Sequence, residues 1–135
     1  MTYLLDTDTC IFWLRGHSVV REHINSVGPQ EMALSIITLA ELRYGAAVSA
    51  RPQNNHEAIE NLVRFLPIIN LDTEIVRVYG ETKGQLRKEG ALIEDFDLLI
   101  AATSVAHGLT LVTNNTAHFS RIPVLHLANW VQSID

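Results

Sequence analysis

The chain has 135 residues and a mass of 15.1 kDa, is 47% hydrophobic and 19% charged, and carries a net charge of −5. That composition excludes a disordered or fibrous chain, and a domain of this size buries roughly 68% of its unfolded surface, enough for one independent core. A single cysteine, Cys10, excludes an intramolecular disulfide framework and a cysteine zinc cluster, and the acidic balance lacks the basic footprint of a nucleic-acid binder.

The start, Met1-Thr2-Tyr3-Leu4-Leu5-Asp6, has no basic segment and meets a charge too early for a signal peptide. No apolar run reaches the roughly 18 residues of a membrane span, so a cytoplasmic protein without a membrane partner is expected. Tyr3-Leu4-Leu5 reads as a buried strand, and Cys10–Leu14 as a short helix stopped by Gly16. Val20, His23, Ile24 and Val27 have helical spacing, closed by Gly28-Pro29. Met32–Ile36 reads as a second buried strand. Thr38-Leu39-Ala40-Glu41 then has the pattern of a capping box opening a helix that ends before Pro52.

Glu57–Phe65 is amphipathic and is closed by Pro67, and Ile68–Leu71 suits an edge strand. Asp72 or Thr73 can cap a long helix carrying Val76, Tyr79 and Leu86, with Gly90 beyond its end. After the short extended stretch Ala91–Ile93, a helix is predicted over Asp97–His107, with Gly108 at its stop. Leu109–Val112 and Val124–Leu127 are the last predicted strands. Strands alternating with helices predict an α/β fold: one unit over 1–135, with a mostly parallel sheet of four to five strands flanked by helices.

Ligands of open α/β sheets bind beyond the carboxyl ends of the strands. Asp6 directly follows the first strand, Glu41 lies one turn into the helix after the second, Asp97 opens a later helix, and Asn115 follows Leu111-Val112-Thr113. Converging carboxylates repel and raise one another's pKa, a penalty that a divalent cation removes. An all-oxygen set at Asp6, Glu41 and Asp97 suits a hard ion, Mg²⁺ or Mn²⁺, and such an ion suits phosphodiester hydrolysis by an activated water. Each acid also has a structural reading. Asp95 and Asp97 can complement a helix dipole, Glu41 can complete a capping box with Thr38, and Asp6 can cap the first helix.

Four segments appear in order: Leu4-Leu5-Asp6-Thr7-Asp8-Thr9-Cys10-Ile11, Ser35 through Gly45, Asp97-Leu98-Leu99-Ile100-Ala101-Ala102, and Val112-Thr113-Asn114-Asn115-Thr116-Ala117-His118-Phe119. With them the chain resembles the PIN-domain ribonucleases, specifically the VapC toxins of type II toxin–antitoxin systems. The resemblance spans nearly the whole chain. It implies a Mg²⁺-dependent endoribonuclease that cuts RNA (transfer RNA among the options) and is held in check by a cognate antitoxin. Asp6, Glu41 and Asp97 match the family's acidic metal positions, and Asn115 falls at its fourth, often Asp. Asp8 stands where Asn is usual, and Thr7, Asp8, Thr38, Asp95 and Thr113 are candidate supporting groups.

Lys83 and Arg87 share a helix face and could contact RNA phosphates, or could simply be solvated. Gly80 and Gly84, four apart, suggest close approach of another helix, within the chain or across a homodimer. The six histidines show no metal-ligand spacing and read as surface or structural groups, with His118 alone near the presumed site. Two rival functions remain. Asp6-Thr7-Asp8-Thr9 is similar to the nucleophile strand of haloacid-dehalogenase-like phosphatases, a reading that leaves Glu41 without a role. A non-catalytic PIN-like module binding RNA or protein is the other, and it gains nothing from clustered negative charge.

Overall fold

The computed structural model describes residues 1–133. Five strands, Tyr3–Leu5 (β1), Met32–Ser35 (β2), Ile68–Ile69 (β3), Thr110–Val112 (β4) and Leu127–Ala128 (β5), form one sheet in the order β3-β2-β1-β4-β5. Every neighbouring pair is parallel, with Leu4 opposite both Ala33 and Leu111 in the centre. Parallel neighbours need crossovers, and the helices supply them. They are Thr7–Leu14 (α1), Ser18–Val27 (α2), Ile36–Ala47 (α3), Pro52–Phe65 (α4), Thr73–Lys88 (α5), Asp95–His107 (α6) and Thr116–Phe119 (α7). A 3-10 turn over Pro29–Glu31 leads into β2.

Alternation along β1 divides the core in two, because successive strand side chains point to opposite faces. Leu5 packs with Leu34 and Val112 against Cys10, Ile24, Leu42 and Leu62 of α1–α4. Leu4 packs with Ala33 and Leu111 against Leu86, Leu98, Ile100 and Phe119 of α5–α7. Both leucines are wholly buried, and each contributes about 2 kcal/mol of apolar transfer. The result is helix, sheet and helix in three layers. α6 ends at Gly108, whose φ of +65° lets the Leu109 N–H turn back to the Ser104 carbonyl at 2.8 Å.

The chain runs outward from β1 through β2 to β3, then returns across the sheet to β4 and β5. The order therefore reverses between β1 and β4. A crevice opens at such a switch point, and it is floored here by the residues that follow these two strands, Asp6 and Thr113.

Several boundaries differ from the sequence-based expectation. Ser35, not Thr38, caps α3, accepting from the Ile37 N–H at 3.0 Å; β2 therefore stops at Ser35, and Thr38 and Glu41 do not form a capping box. The apolar run across Ser35 concealed a polar cap that is itself wholly buried. α4 starts earlier than expected, at Pro52, whose fixed φ suits a first helical turn. Residues 91–93 form no strand, and α6 begins at Asp95, two residues before Asp97. The last strand lies at Leu127–Ala128 rather than Val124–Leu127. The Leu125 N–H turns back to the Ile122 carbonyl, so pairing with β4 resumes only at the His126 carbonyl.

Candidate active site

Asp6 follows β1 and caps α1. Its Oδ1 accepts from the Thr7 N–H at 2.8 Å, and its Oδ2 accepts from the Thr113 hydroxyl at 2.8 Å. It is 6% exposed, and none of the ion pairs among the described residues gives it a cation. Burial, and next the charge of Asp8, push its carboxyl up to about 7 against the pull of the two hydrogen bonds; Asp97 adds to the rise. A carboxylate so placed lacks a countercharge.

Asp8 occupies the first turn of α1 and joins it to the segment after β4. Its Oδ2 accepts from the Asn114 N–H at 3.0 Å and lies 3.4 Å from the Thr113 hydroxyl oxygen. Thr113 is wholly buried, and its hydroxyl also accepts from the Asn115 N–H at 3.0 Å. One threonine thus fixes the carboxylate of Asp6 and the turn that leads into α7. Asn115 is exposed at the N-cap of α7 and makes no side-chain cap bond.

Glu41 reaches the crevice from α3. Its Oε1 accepts from the Thr7 hydroxyl at 2.6 Å, with the buried Thr38 hydroxyl 3.5 Å from that of Thr7. The side chain therefore turns toward α1 rather than toward the start of its own helix. Asp97, half-buried in the first turn of α6, faces α7: His118 Nε2 stands 3.1 Å from its Oδ2. Burial raises the Asp97 carboxyl, with Glu94 and Asp8 adding to the rise and His118 opposing it.

Asp95 lies outside this cluster. Its Oδ1 accepts from Tyr79 Oη at 2.8 Å and from Lys83 Nζ at 2.7 Å, tying α6 to α5. Lys83 is thereby engaged as a structural ion pair. Arg87 is exposed in the last turn of α5, where it complements the helix dipole. The contact between His118 and Asp97 crosses 21 positions and had no signal in local spacing. Asp8 had one, as the acid of the first turn of α1, two residues after Asp6.

Among the described residues no three acid, histidine or cysteine side chains already stand as a ready-made metal cage. The donors nevertheless fit a hard divalent cation. They are carboxylates, Asp6 is desolvated without a countercharge, and Asp8 and Asp97 act on it through space. Mg²⁺ keeps several of its waters and needs only one or two carboxylates in direct contact. Beside the cluster lies a groove of about 230 Å³ between α1, α3 and α4, lined by Ile11, Leu14, Leu42, Ala46 and Ile59 and also by Glu41.

With its acids at the switch point of a parallel sheet, the chain belongs to the PIN-domain family, whose domain spans residues 3–125. Its relatives lie in the VapC branch. It is 36% identical over 134 residues to ribonuclease VapC2 of Rickettsia felis, covering 96% of this chain and 98% of that protein. It is 34% identical over 131 residues to the tRNA(fMet)-specific endonuclease VapC of Salmonella typhimurium, with the same coverage. Among solved structures, the DNA-bound VapBC of Salmonella typhimurium superposes with a TM-score of 0.91 at 34% identity, covering 96% of this chain and 98% of that one. The VapBC2 complex of Rickettsia felis on a promoter DNA fragment gives 0.89 at 34%, covering 96% and 99%.

Proposed function

We propose that this chain is an endoribonuclease toxin that hydrolyses RNA phosphodiester bonds in the cytoplasm with Mg²⁺ or Mn²⁺, restrained by a cognate antitoxin. The observation that carries this reading is Asp6: a carboxylate 6% exposed, without a cation, facing two further acids at the switch point. Asp6, Glu41 and Asp97 would hold the ion, with Asp8 beside them and Asn115 at the rim. When bound, the ion supplies charge neutralisation for the phosphoryl oxygens and acidifies a water.

The protein's own groups prepare the site. Thr113 and the Thr7 N–H hold the two oxygens of Asp6 in place, and the Thr7 hydroxyl holds Glu41 Oε1. The remaining oxygen of Glu41 would serve the ion or take the proton of its water, and either role needs the negative charge. A negatively charged RNA meets a chain of net charge −5, so the approach depends on that cation. The phosphatase alternative leaves Glu41 without a role, although the Thr7 hydroxyl holds its Oε1 beside Asp6.

The antitoxin's seat is the apolar groove between α1, α3 and α4, because a segment laid there covers Glu41 as well as Leu14 and Ile59. The two solved relatives described above are VapBC complexes, which supports such a partner. No element among the described residues approaches Gly80 or Gly84 of α5, where a Cβ would meet nothing within 4 Å, so α5 offers the face across which a homodimer would pack. The test incubates purified protein with structured RNA and Mg²⁺, with and without EDTA, beside a generic phosphatase substrate. The specificity in the Salmonella relative's name makes tRNA(fMet) the first RNA to try. EDTA-sensitive RNA cutting without phosphatase turnover is the expected result; phosphatase turnover alone would sink the reading.

A further inference from the structure

We propose that His118 is a positioning residue for Asp97, fixing one carboxylate oxygen so that the other serves the reaction site. The inference rests on the metal-dependent reading above. His118 Nε2 lies 3.1 Å from Asp97 Oδ2, and the two side chains are 22% and 26% exposed, so the contact is only partly open to water. The partnership defines the tautomer: with Asp97 ionised, Nε2 carries the hydrogen and donates it.

The imidazole is held from behind. α7 is a single turn anchored by Phe119, which is 1% exposed in the core, and the His118 ring stands edge-on to it at 5.4 Å between centroids. Asp97 has the opposite problem. It sits on the first turn of α6 with the charges of Glu94 and Asp8 acting against it. A carboxylate facing like charges swings toward water unless a donor retains it, and His118 is that donor. The other acids have donors of their own, Thr113 and the Thr7 N–H for Asp6 and the Thr7 hydroxyl for Glu41. His118 completes the set on the α6 side of the crevice. Removing a side chain that holds a metal's carboxylate from behind in this way costs about 10–100-fold in metal affinity.

Mn²⁺ affinity, read by the loss of the free-ion paramagnetic resonance signal, tests this in the full chain, His118→Ala and His118→Gln. The alanine variant should bind Mn²⁺ about 10–100-fold more weakly and lose kcat, with KM for RNA little changed. The glutamine variant offers an N–H to the same oxygen without any charge and should restore affinity to within about threefold of the parent. An alanine variant that binds as tightly as the parent, or tighter, overturns the proposal, as does a glutamine variant no better than alanine. If the parent chain itself takes up no Mn²⁺, the metal-dependent reading fails and this inference falls with it. That result is distinct from a failure confined to the His118 variants.

Discussion

Replacing Asp6 with Asn should stabilise the metal-free protein at neutral and alkaline pH. In the fold its carboxyl is raised from 3.8 to about 7, chiefly by burial and then by the charge of Asp8. The protonated side chain is therefore favoured in the native state. Its contribution is fully present below pH 3.8 and is lost as pH rises through 7. Above that window the ionised Asp6 costs about 4 kcal/mol relative to acid conditions. Asparagine is neutral throughout and avoids that cost. It keeps the Oδ1 acceptor for the Thr7 N–H, but it turns the Thr113 hydroxyl from donor to acceptor, a loss of about 1 kcal/mol. The net gain at pH 8 is then about 3 kcal/mol, or roughly 10 °C in Tm for a domain of this size. The assay is thermal unfolding in EDTA between pH 4 and 8. The parent should lose stability relative to the variant across that range. Saturating Mn²⁺, at a hundred times its Kd, should restore about 2.7 kcal/mol to the parent only. Parallel pH profiles for the two proteins would refute the reasoning.

Glu41→Gln keeps an acceptor for the Thr7 hydroxyl and leaves the Ser35 cap of α3 untouched, so Tm in EDTA should stay level or rise while RNA cleavage falls at least about 10²-fold. A glutamine variant that cuts at the parent rate removes Glu41 from the site. Lys83→Met breaks the pair with Asp95 but should leave the salt dependence of RNA cleavage unchanged; a salt slope reduced by about 1 would instead make Lys83 a phosphate contact. Gly80→Gln puts a helix-favouring side chain into space that is open in the single chain, so light scattering should report monomers without a loss of Tm. Dimers that persist in Gly80→Gln would move the homodimer interface away from α5.

The parts of this fold legible in the sequence were those set by local pattern. Short apolar runs such as Tyr3–Leu5, each followed by a helix, dictate a parallel α/β sheet, and a polar residue after a buried strand falls at the carboxyl edge wherever the strand sits. Asp6 was therefore placeable from its neighbours alone. Ser35 was not, because a cap inside an apolar run has no polar context to mark it. The side-chain partners were equally hidden. Whether Asp95 or Asp97 enters the crevice depends on Tyr79 and Lys83 standing across from α6, and His118 meets Asp97 only because α7 folds back beside it. Such contacts are products of packing between elements distant in sequence. The groove beside Glu41 is another, since α1, α3 and α4 line it together.

The central claim is that the acids at the β1–β4 switch point form one metal-dependent RNA-cutting site. Its most direct test titrates Mn²⁺ into the metal-stripped chain while following two signals, the cleavage rate of an end-labelled transfer RNA and the Tm of the same preparation. Cleavage and stabilisation should rise together with one midpoint, and both should vanish in Asp6→Asn. Cleavage at full rate in EDTA, or cutting that persists in Asp6→Asn, would contradict the claim.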